Sequence, residues 1–440
     1  MSARDTALST LIACRRAGAW SDGALKQNLA RDGLDRRDAA LATRLCFGVL
    51  QNRMLIDFWL SRFVRGSLEK LQPVVLDILR LAVCQLAFAD KIPPSAAVSE
   101  AVNQTRRCAN ARAAGLVNGV LRSMLRSEDA FALPEDLSVR YSHPQALVDL
   151  LRDSVGPEKL EPLLAAHNGN PPTYLQINPL RADARTVAAS LEAEGFTVTP
   201  HPWLENCLTL TGGSPERSAA FRDGLFYVQD PAARMAVLAA DPQPGTEVLD
   251  CCAAPGGKSF AAGIQMQNRG VVCSCDLHAH KIDLIARGAA RLGLDCIRAS
   301  RADATVPDPD RIGRFDLVIA DVPCSGLGVI RKKPDIRYKA LDRLAELPAV
   351  QARILETQAD CVRPGGVLLY ATCTILKREN EDRVSAFLAD RPDFTAEPFT
   401  LPGGLSAPAG TFTFLPCDHG TDGFFVAKLR RQSGNLKSKI

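Results

Sequence analysis

The spacing of apolar residues changes along the chain and divides it into three regions. Up to about residue 130, apolar residues recur at helical spacing, as they do over residues 40–50. Between 173 and 229, short apolar runs flank one helix-like stretch. From residue 246 onward, runs typical of buried strands alternate with helical patterns, as in a parallel sheet. We therefore predict a multidomain protein with an all-α N-terminal bundle, a small α+β module and an α/β Rossmann-like domain.

Polar and Pro-containing stretches set the predicted limits of these regions. We expect the bundle at 1–132, the α+β module at 141–240, the Rossmann-like domain at 241–430 and a disordered tail at 431–440. Within the bundle, Ser95 is predicted to cap a helix that runs to about residue 110. In the last domain we predict a helix over 376–389 and a closing antiparallel edge strand over 424–429.

A turn of small residues follows the first strand of the Rossmann-like region. The strand ends at Asp250, the turn contains Gly256 and Gly257, and a helix-like run begins at Lys258. This layout presents backbone N–H groups to a ligand, and a side chain in the turn would keep the ligand away. The spacing is neither G-x-G-x-x-G nor a P-loop, so the turn alone leaves an ordinary βα connection open.

Acidic residues follow four successive predicted strands, and this pattern favours a ligand site. They are Asp250, Asp276, Asp303 and Asp321. A single such acid is usually a helix cap or a turn residue. The carboxyl ends of parallel strands meet at one edge of the sheet, where ligands bind in open α/β folds. An acid at the end of the second strand, as at Asp276, is where a Rossmann-type site holds ribose hydroxyls.

Composition and charge narrow the class of protein. The 440 residues have no apolar run long enough to span a bilayer and no signal-peptide pattern, so we expect a cytoplasmic protein. We also expect a monomer. The 14 cysteines are scattered without zinc-ligand spacing, which predicts reduced thiols and no metal. Residues 1–140 contain 20 Lys and Arg and 14 Asp and Glu. This excess of positive charge is explained either by an anionic partner or by a basic surface that contacts only solvent.

Two of the cysteines differ from the rest because each follows a buried strand near the glycine turn. Cys324 follows Asp321, and Cys373 stands between two threonines. Most buried cysteines are small hydrophobes, and we interpret five in this way: Cys46, Cys84, Cys207, Cys273 and Cys361. A cysteine beside a cofactor loop is instead a candidate nucleophile, and either Cys324 or Cys373 could serve.

Methyl transfer to carbon 5 of cytosine needs such a set of groups. A thiolate that adds to carbon 6 makes carbon 5 nucleophilic, and a carboxyl group near N3 stabilises the charge that develops. Asp276 and Asp303 would serve the cofactor's adenosine and ribose, and the glycine turn its amino-acid part. The basic run Arg331-Lys332-Lys333 beyond the Cys324 loop is predicted to meet phosphates.

Several motifs together resemble the NOP/Sun family of S-adenosylmethionine-dependent RNA cytosine-5 methyltransferases. They are DCCAAPGGKS, DVPCSGLGVIRKKPDIRY, YATCT with a following ENE, and DGFFVAKL. The phrases RLCFGVLQNR and VNGVLR resemble the helical NusB-like module of antitermination factors. This resemblance covers nearly the whole chain and matches the arrangement of the family's bacterial 16S rRNA members. It implies RNA-binding roles for the bundle and the α+β module, with 16S rRNA as the partner.

The resemblance also implies roles for individual residues. Cys373 takes the place of the family's nucleophile, Cys324 that of the cysteine that helps release the product, and Asp321 contacts the cytosine as well as the cofactor. The implied S-adenosylmethionine site consists of Cys252, Ala253, Ala254, Pro255, Gly256, Gly257, Lys258, Asp276, Asp303 and Asp321. Thr374 and Ser259 differ from the commoner Ser and Thr, but each keeps a hydroxyl group.

Three other functions remain to be weighed against this one. The same chemistry on tRNA fits the motifs equally well. A non-catalytic RNA-binding assembly factor would not need Cys324, Cys373 and the glycine turn. An NAD-dependent dehydrogenase would share the Rossmann-like pattern but leaves both cysteines unexplained and lacks G-x-G-x-x-G.

Overall fold

A computed structural model describes residues 1–17 and 20–433 and divides the chain into two compact units. The helical unit comprises Met1–Gly169 together with the segment Ile330–Lys339. The second unit, the α/β unit, comprises Asn170–Val329 and Ala340–Ile440. Of the tail predicted over 431–440, residues 434–440 lie outside the described part, and Arg431 still belongs to the last strand.

The helical unit is built from ten α-helices within its described residues. They are α1 (Ala3–Ala17), α2 (Ser21–Asp32), α3 (Arg36–Gln51), α4 (Arg53–Ser61), α5 (Pro73–Phe88), α6 (Pro94–Cys108), α7 (Ala111–Arg126), α8 (Leu137–Arg140), α9 (Gln145–Val155) and α10 (Pro157–His167). Helical spacing places apolar residues on inward faces, so Leu45, Ile78 and Leu121 are at most 1% exposed. The prediction that Ser95 caps a helix was wrong: α6 begins at Pro94, which suits a first helical position because it lacks an N–H.

The segment 330–339 completes the helical unit, although it follows the Cys324 loop in sequence. Its short 3₁₀ turn, Pro334–Tyr338, carries Arg337, which is 1% exposed. Arg337 donates hydrogen bonds to the backbone oxygen of Gln51 and to Asn168 Oδ1, both at 2.8 Å. The prediction that the neighbouring basic run meets phosphates was wrong for Arg331, which is buried.

The α/β unit begins with a small α+β module, which starts at Asn170 and not at 141 as predicted, because residues 141–169 belong to the helical unit. It contains β1 (Thr173–Ile177), α11 (Ala184–Ala193), β2 (Thr197–Pro200), β3 (Cys207–Thr211), α12 (Ala219–Arg222) and β4 (Phe226–Val228). The four strands form an antiparallel sheet in the order β2-β3-β1-β4. The module packs on the rest of the unit, where Asn178 donates to the backbone oxygen of Leu292 at 2.9 Å.

A larger mixed sheet forms the centre of the α/β unit. The remaining helices and strands of the unit are α13 (Pro231–Ala240), β5 (Glu247–Asp250), α14 (Gly257–Gln265), β6 (Val271–Asp276), α15 (Ala279–Leu292), β7 (Ile297–Arg301), β8 (Phe315–Asp321), α16 (Leu347–Ala359), β9 (Val362–Thr372), α17 (Glu381–Asp390), β10 (Phe394–Ala396), β11 (Phe399–Leu401), β12 (Leu405–Ala407), β13 (Thr411–Phe414), α18 (Pro416–His419) and β14 (Phe424–Arg431). Strands β11 and β12 form a separate two-stranded sheet. Strands β7, β6, β5, β8 and β9 are parallel, in that spatial order. Their middle residues, such as Val248 and Val318, are fully buried because helices cover both faces.

Three sequence predictions for this unit need correction. The strand β14 is antiparallel to β9 as predicted, but it is not an edge strand, because β10 and β13 also pair with it. The helix predicted over 376–389 begins only at Glu381, after a 3₁₀ turn and the non-helical residue Asn380. Cys273 is half-buried, whereas the other four cysteines predicted to lie in the core are buried.

Candidate active site

The glycine turn joins β5 to α14 with a backbone that excludes side chains. Gly256 has φ +112°, and a Cβ there would lie 2.4 Å from the ring of Phe260. A Cβ on Gly257 would lie 2.8 Å from the side-chain nitrogen of Gln229. The turn is fixed to the next strand by the Ala253 N–H, which donates to the oxygen of Cys275 at 2.8 Å. Because Gly256 offers no side-chain cap, the N–H groups at the start of α14 can receive a ligand.

The first of the four aspartates supports the turn from beneath. Asp250 is fully buried and accepts a hydrogen bond from Ser259 Oγ at 2.7 Å, while Ser274 donates to Ser259 at the same distance. Burial raises the pKa of Asp250 to about 7. The hydroxyl at position 259 therefore joins the turn to the strand end.

Asp276 and Asp303 lie at the ends of the next two strands. Asp276 ends β6, is 7% exposed, and accepts from the His278 N–H at 3.0 Å. Asp303 follows β7, and its exposed carboxylate accepts from Thr305 Oγ1 at 2.7 Å. That hydrogen bond and a second from the Thr305 backbone lower the pKa of Asp303, so the carboxylate is ionised. Both acids are thus at the sheet edge that the sequence predicts.

A buried ion pair joins the glycine turn to the fourth aspartate. Lys258 Nζ lies 2.5 Å from Asp321 Oδ2, and the lysine side chain is 9% exposed. Burial alone would lower the pKa of Lys258, but the carboxylate of Asp321 outweighs it and raises that pKa. Cys373 adds to this rise, which places its sulfur within electrostatic reach of the ammonium group.

The two motif cysteines meet beside this ion pair. Cys324 Sγ and Cys373 Sγ are 3.2 Å apart, and both residues are half-buried. The Gly328 N–H donates to the Cys373 oxygen at 3.0 Å, and the Gly423 N–H donates to the Gly328 oxygen at 2.8 Å. A Cβ on Gly328 would lie 1.9 Å from the Gly423 oxygen, so only glycine allows the loops to approach this closely.

The surroundings of Cys324 make its thiol hard to ionise. The hydrogen bond with Cys373 and burial raise the pKa of Cys324 well above its usual value. The negative charges of Glu379 and Asp321 raise it further. Two neighbouring thiols therefore have different electrostatic surroundings: Cys373 interacts with a lysine and Cys324 with carboxylates.

Three family models match successive parts of the chain. Residues 1–126 match the NusB family, residues 143–215 a ferredoxin-like domain of RsmF/B-like methyltransferases, and residues 237–430 the 16S rRNA methyltransferase RsmB/F family. The probable ribosomal RNA small subunit methyltransferase B of Bacillus subtilis is 36% identical over 98% of this chain and 99% of its own length. The chain belongs to the ribosomal RNA small subunit methyltransferase B family.

Other members of this methyltransferase family and solved structures agree with that assignment. Ribosomal RNA small subunit methyltransferase B of Vibrio cholerae is 34% identical over 92% of each chain. The crystal structure of PH0851 has a TM-score of 0.78 at 26% identity and covers 97% of this chain and 98% of its own. NSun6 from Pyrococcus horikoshii, solved with SFG, has a TM-score of 0.59 at 20% identity over 66% of this chain and 99% of its own, which shows a shared fold.

Sequence reasoning missed the buried groups that support the Cys324 loop. Glu379 is fully buried, and its Oε2 accepts from the Ser325 N–H and from Gln351 Nε2, both at 2.9 Å. Ser325 Oγ donates to Thr374 Oγ1 at 2.7 Å, which links the residues that follow the two cysteines. The ENE stretch, which contains Glu379, is recognisable in the sequence as part of a motif, but the sequence assigns it no role. The helical pattern around Gln351 does not distinguish this residue from its neighbours.

The described ranges 1–17 and 20–433 contain no candidate metal site and no candidate membrane span. Within them, no group of three or more His, Cys, Asp or Glu side chains is arranged to hold a metal ion. No helix in the same ranges combines the length and the apolar character that a bilayer crossing requires.

Proposed function

We propose that this protein transfers a methyl group from S-adenosylmethionine to carbon 5 of a specific cytosine in 16S rRNA. In this proposal, Cys373 forms a covalent bond to carbon 6 of the base. The observation that carries the proposal is the pair of sulfurs 3.2 Å apart beside the ion pair of Lys258 and Asp321. A dehydrogenase or an assembly factor has no use for that arrangement.

The cofactor fits the glycine turn and the aspartates that follow the strands. Its amino-acid part would meet the turn and the start of α14, and its ribose and adenine would meet Asp276 and Asp303. The proposed binding residues are Cys252, Ala253, Ala254, Pro255, Gly256, Gly257, Lys258, Asp276, Asp303 and Asp321. When bound, S-adenosylmethionine supplies an electrophilic methyl group. The space that a Cβ on Gly257 would fill supports this assignment.

The charges around the two thiols favour Cys373 as the nucleophile. The Lys258 ammonium stabilises a thiolate at Cys373, whereas Glu379 and Asp321 oppose one at Cys324. The Cys373 thiolate adds to carbon 6, so the electron pair of the C5–C6 bond becomes available at carbon 5. The Lys258 ammonium, held in place by Asp321, would hydrogen-bond the pyrimidine edge at N3 and O2 and stabilise the charge.

Release of the product reverses the covalent step. A water molecule acting as general base takes the proton from carbon 5, the C5–C6 double bond forms again, and the Cys373–C6 bond breaks with its electrons returning to sulfur. Cys324 would assist this elimination, because its sulfur is 3.2 Å from the departing one. The base must leave its stack to reach either sulfur, since both lie in a half-buried site.

The choice of RNA rests on the N-terminal parts of the chain and on the relatives. Residues 1–140 are basic, and residues 1–126 match the NusB family. The relatives from Bacillus subtilis and Vibrio cholerae are named for the small ribosomal subunit RNA. We therefore assign RNA binding to the helical domain and to the α+β module.

The test incubates the protein with labelled S-adenosylmethionine and either deproteinised 16S rRNA or bulk tRNA, and then maps 5-methylcytosine. We expect one modified cytosine in 16S rRNA. Label in tRNA alone would keep the chemistry and overturn the choice of RNA. Bound cofactor without label in either RNA would favour an assembly factor, and tight NAD binding without S-adenosylmethionine binding would favour a dehydrogenase.

A further inference from the structure

The fully buried carboxylate of Glu379 and its partner Gln351 hold the backbone on both sides of Cys324. Glu379 Oε2 accepts from the N–H of Ser325, the residue after the cysteine. It also accepts from Gln351 Nε2, and the same nitrogen donates to the oxygen of Pro323, the residue before the cysteine, at 3.1 Å. Both Glu379 and Gln351 are 0% exposed. The loop on which Cys324 stands is therefore fixed at both neighbours from within the core.

The carboxylate is costly to bury, which points to a role beyond packing. Its Oε1 is also enclosed and has no hydrogen-bond partner among the described residues. An apolar side chain or an amide would fill the same space without the cost of burying a charge. Buried polar atoms without a partner are uncommon in native structures, and each calls for an explanation such as a functional role.

The negative charge of Glu379 acts on one thiol of the pair. The titratable groups that face the Cys324 thiol are Cys373, Glu379, Asp321 and Tyr370. Three of them oppose its ionisation, and Asp321 is partly neutralised by Lys258. Within residues 1–17 and 20–433, Glu379 forms no ion pair with a cation, and its charge opposes ionisation of Cys324 more than that of Asp321 does.

We propose that Glu379 and Gln351 are positioning residues that fix Cys324 over Cys373 and keep the proton on Cys324. The Cys324 S–H then donates to the Cys373 sulfur, and the single negative charge of the pair resides on the nucleophile. This inference rests on the proposed function for its catalytic meaning. The distribution of charge between the two thiols can be measured without RNA or cofactor.

Two substitutions separate the charge from the hydrogen bonds. Glu379→Gln keeps an oxygen that can accept from Ser325 and Gln351 but removes the charge. Gln351→Met keeps the side-chain volume at position 351 and leaves the charge of Glu379 in place. It removes the N–H donor to Pro323 and to Glu379. Gln104→Met is a matched control, because Gln104 is a buried helical glutamine of the helical unit that donates to Asp5 at 3.0 Å.

The first measurement is the initial rate of iodoacetamide labelling at each cysteine between pH 7 and pH 10, read by peptide mass spectrometry. In Glu379→Gln we expect Cys324 to be labelled about tenfold faster at each pH, because the loss of one opposing charge gives about tenfold more thiolate. In Gln351→Met and Gln104→Met we expect that rate to stay within about twofold of wild type. An unchanged Cys324 rate in Glu379→Gln, in protein with an unchanged thermal unfolding midpoint, would overturn the role of the charge.

The second measurement is methyl transfer with steady-state kinetics. We expect Gln351→Met to lower kcat about tenfold with KM for RNA unchanged, because it shifts Cys324 without touching the RNA-binding domains. Wild-type kinetics in Gln351→Met would overturn the positioning role. If the wild-type protein methylates no RNA, the proposed function fails, while the labelling rates still decide how Glu379 acts on Cys324.

Discussion

Two clusters of polar side chains, one from each unit, contain different sets of charges. The catalytic cluster consists of Lys258, Asp321, Cys324 and Cys373, where a cation and an anion flank two thiols. The Arg337 cluster consists of His143, His167 and Arg337 in the helical unit. There the two imidazoles are 3.1 Å apart between ring nitrogens, and the guanidinium bonds to neutral oxygens.

Both clusters contain groups with displaced pKa values, but they differ in access to solvent. Burial lowers the pKa of His167 to about 3 and of Arg337 to about 10, and both residues are at most 1% exposed. In the catalytic cluster the cysteines are half-buried, and 29% of the Asp321 side chain is exposed. A displaced pKa therefore shows that a group is desolvated. Exposure to solvent distinguishes the cluster that a substrate can reach.

The substitution with the largest expected effect is Cys373→Ala in the catalytic cluster. It removes the nucleophile, so we expect methyl transfer to fall by about 10⁴-fold or more. The glycine turn is unaffected, so calorimetry should show S-adenosylmethionine binding within about twofold of wild type. Retained methyl transfer in this variant would assign the nucleophile to another residue.

Cys324→Ala should stop the reaction at a later step. Without its assistance the Cys373–C6 bond persists, so a denaturing gel should show protein bound covalently to RNA and turnover should fall about 10³-fold. The adduct should be absent from the double variant with Cys373→Ala. Free product at normal turnover would remove Cys324 from the mechanism.

Lys258→Met should weaken catalysis by removing the cation of the cluster. The Cys373 thiolate and the charge on the base then lack the ammonium, and we expect kcat to fall about 10²-fold. KM for RNA should stay within about twofold of wild type, because the substitution lies outside the helical domain and the α+β module. An unchanged kcat with a raised KM for the cofactor would give Lys258 a binding role instead.

The Arg337 cluster should affect stability and its dependence on pH. The unfolded His167 has a pKa near 6.5 and the folded one a pKa of about 3. Below pH 6.5, His167 binds a proton in the unfolded chain but not in the folded chain. The free energy of unfolding is therefore greatest above pH 6.5 and declines as the pH falls toward 3. Between pH 7 and pH 5 this amounts to about 2 kcal/mol, or about 30-fold in the unfolding equilibrium.

Urea unfolding of the full chain at pH 7 and pH 5 measures this decline. The exposed His278 provides the control, since His278→Asn should leave the pH dependence unchanged. His167→Asn should reduce it. Equal free energies of unfolding at both pH values in the wild-type chain would contradict the pKa assigned to His167.

The sequence predicted those features that depend on local periodicity. Alternation of apolar runs and helices located the strands that end at Asp250, Asp276 and Asp321, and parallel pairing then brought the acids to one edge. The partners of β14 could not be found in this way. The strands β10 and β13 have three and four residues, which is too short to show an alternation of apolar and polar positions. Pairing between segments that are distant in sequence also leaves no local signal.

The support of the Cys324 loop escaped prediction for a related reason. The apolar pattern continues through 376–389 as if one helix ran there, but Asn380 interrupts it. Its side chain accepts from Thr372 Oγ1 at 2.6 Å and donates to the Thr374 oxygen at 3.0 Å, so the backbone turns instead of continuing as a helix. That turn buries Glu379, and a contact with Gln351 in another helix exists only in the folded chain.

The segment 330–339 has a consequence for the order in which the chain can fold during translation. The helical unit is synthesised first, but its Arg337 is encoded after the strands of the glycine turn and of the Cys324 loop. At about 5–20 residues per second, the ribosome spends on the order of ten seconds on the stretch 170–329. Until then Gln51 and Asn168 lack their guanidinium partner. The first unit to emerge is thus completed only after the Cys324 loop has emerged as well.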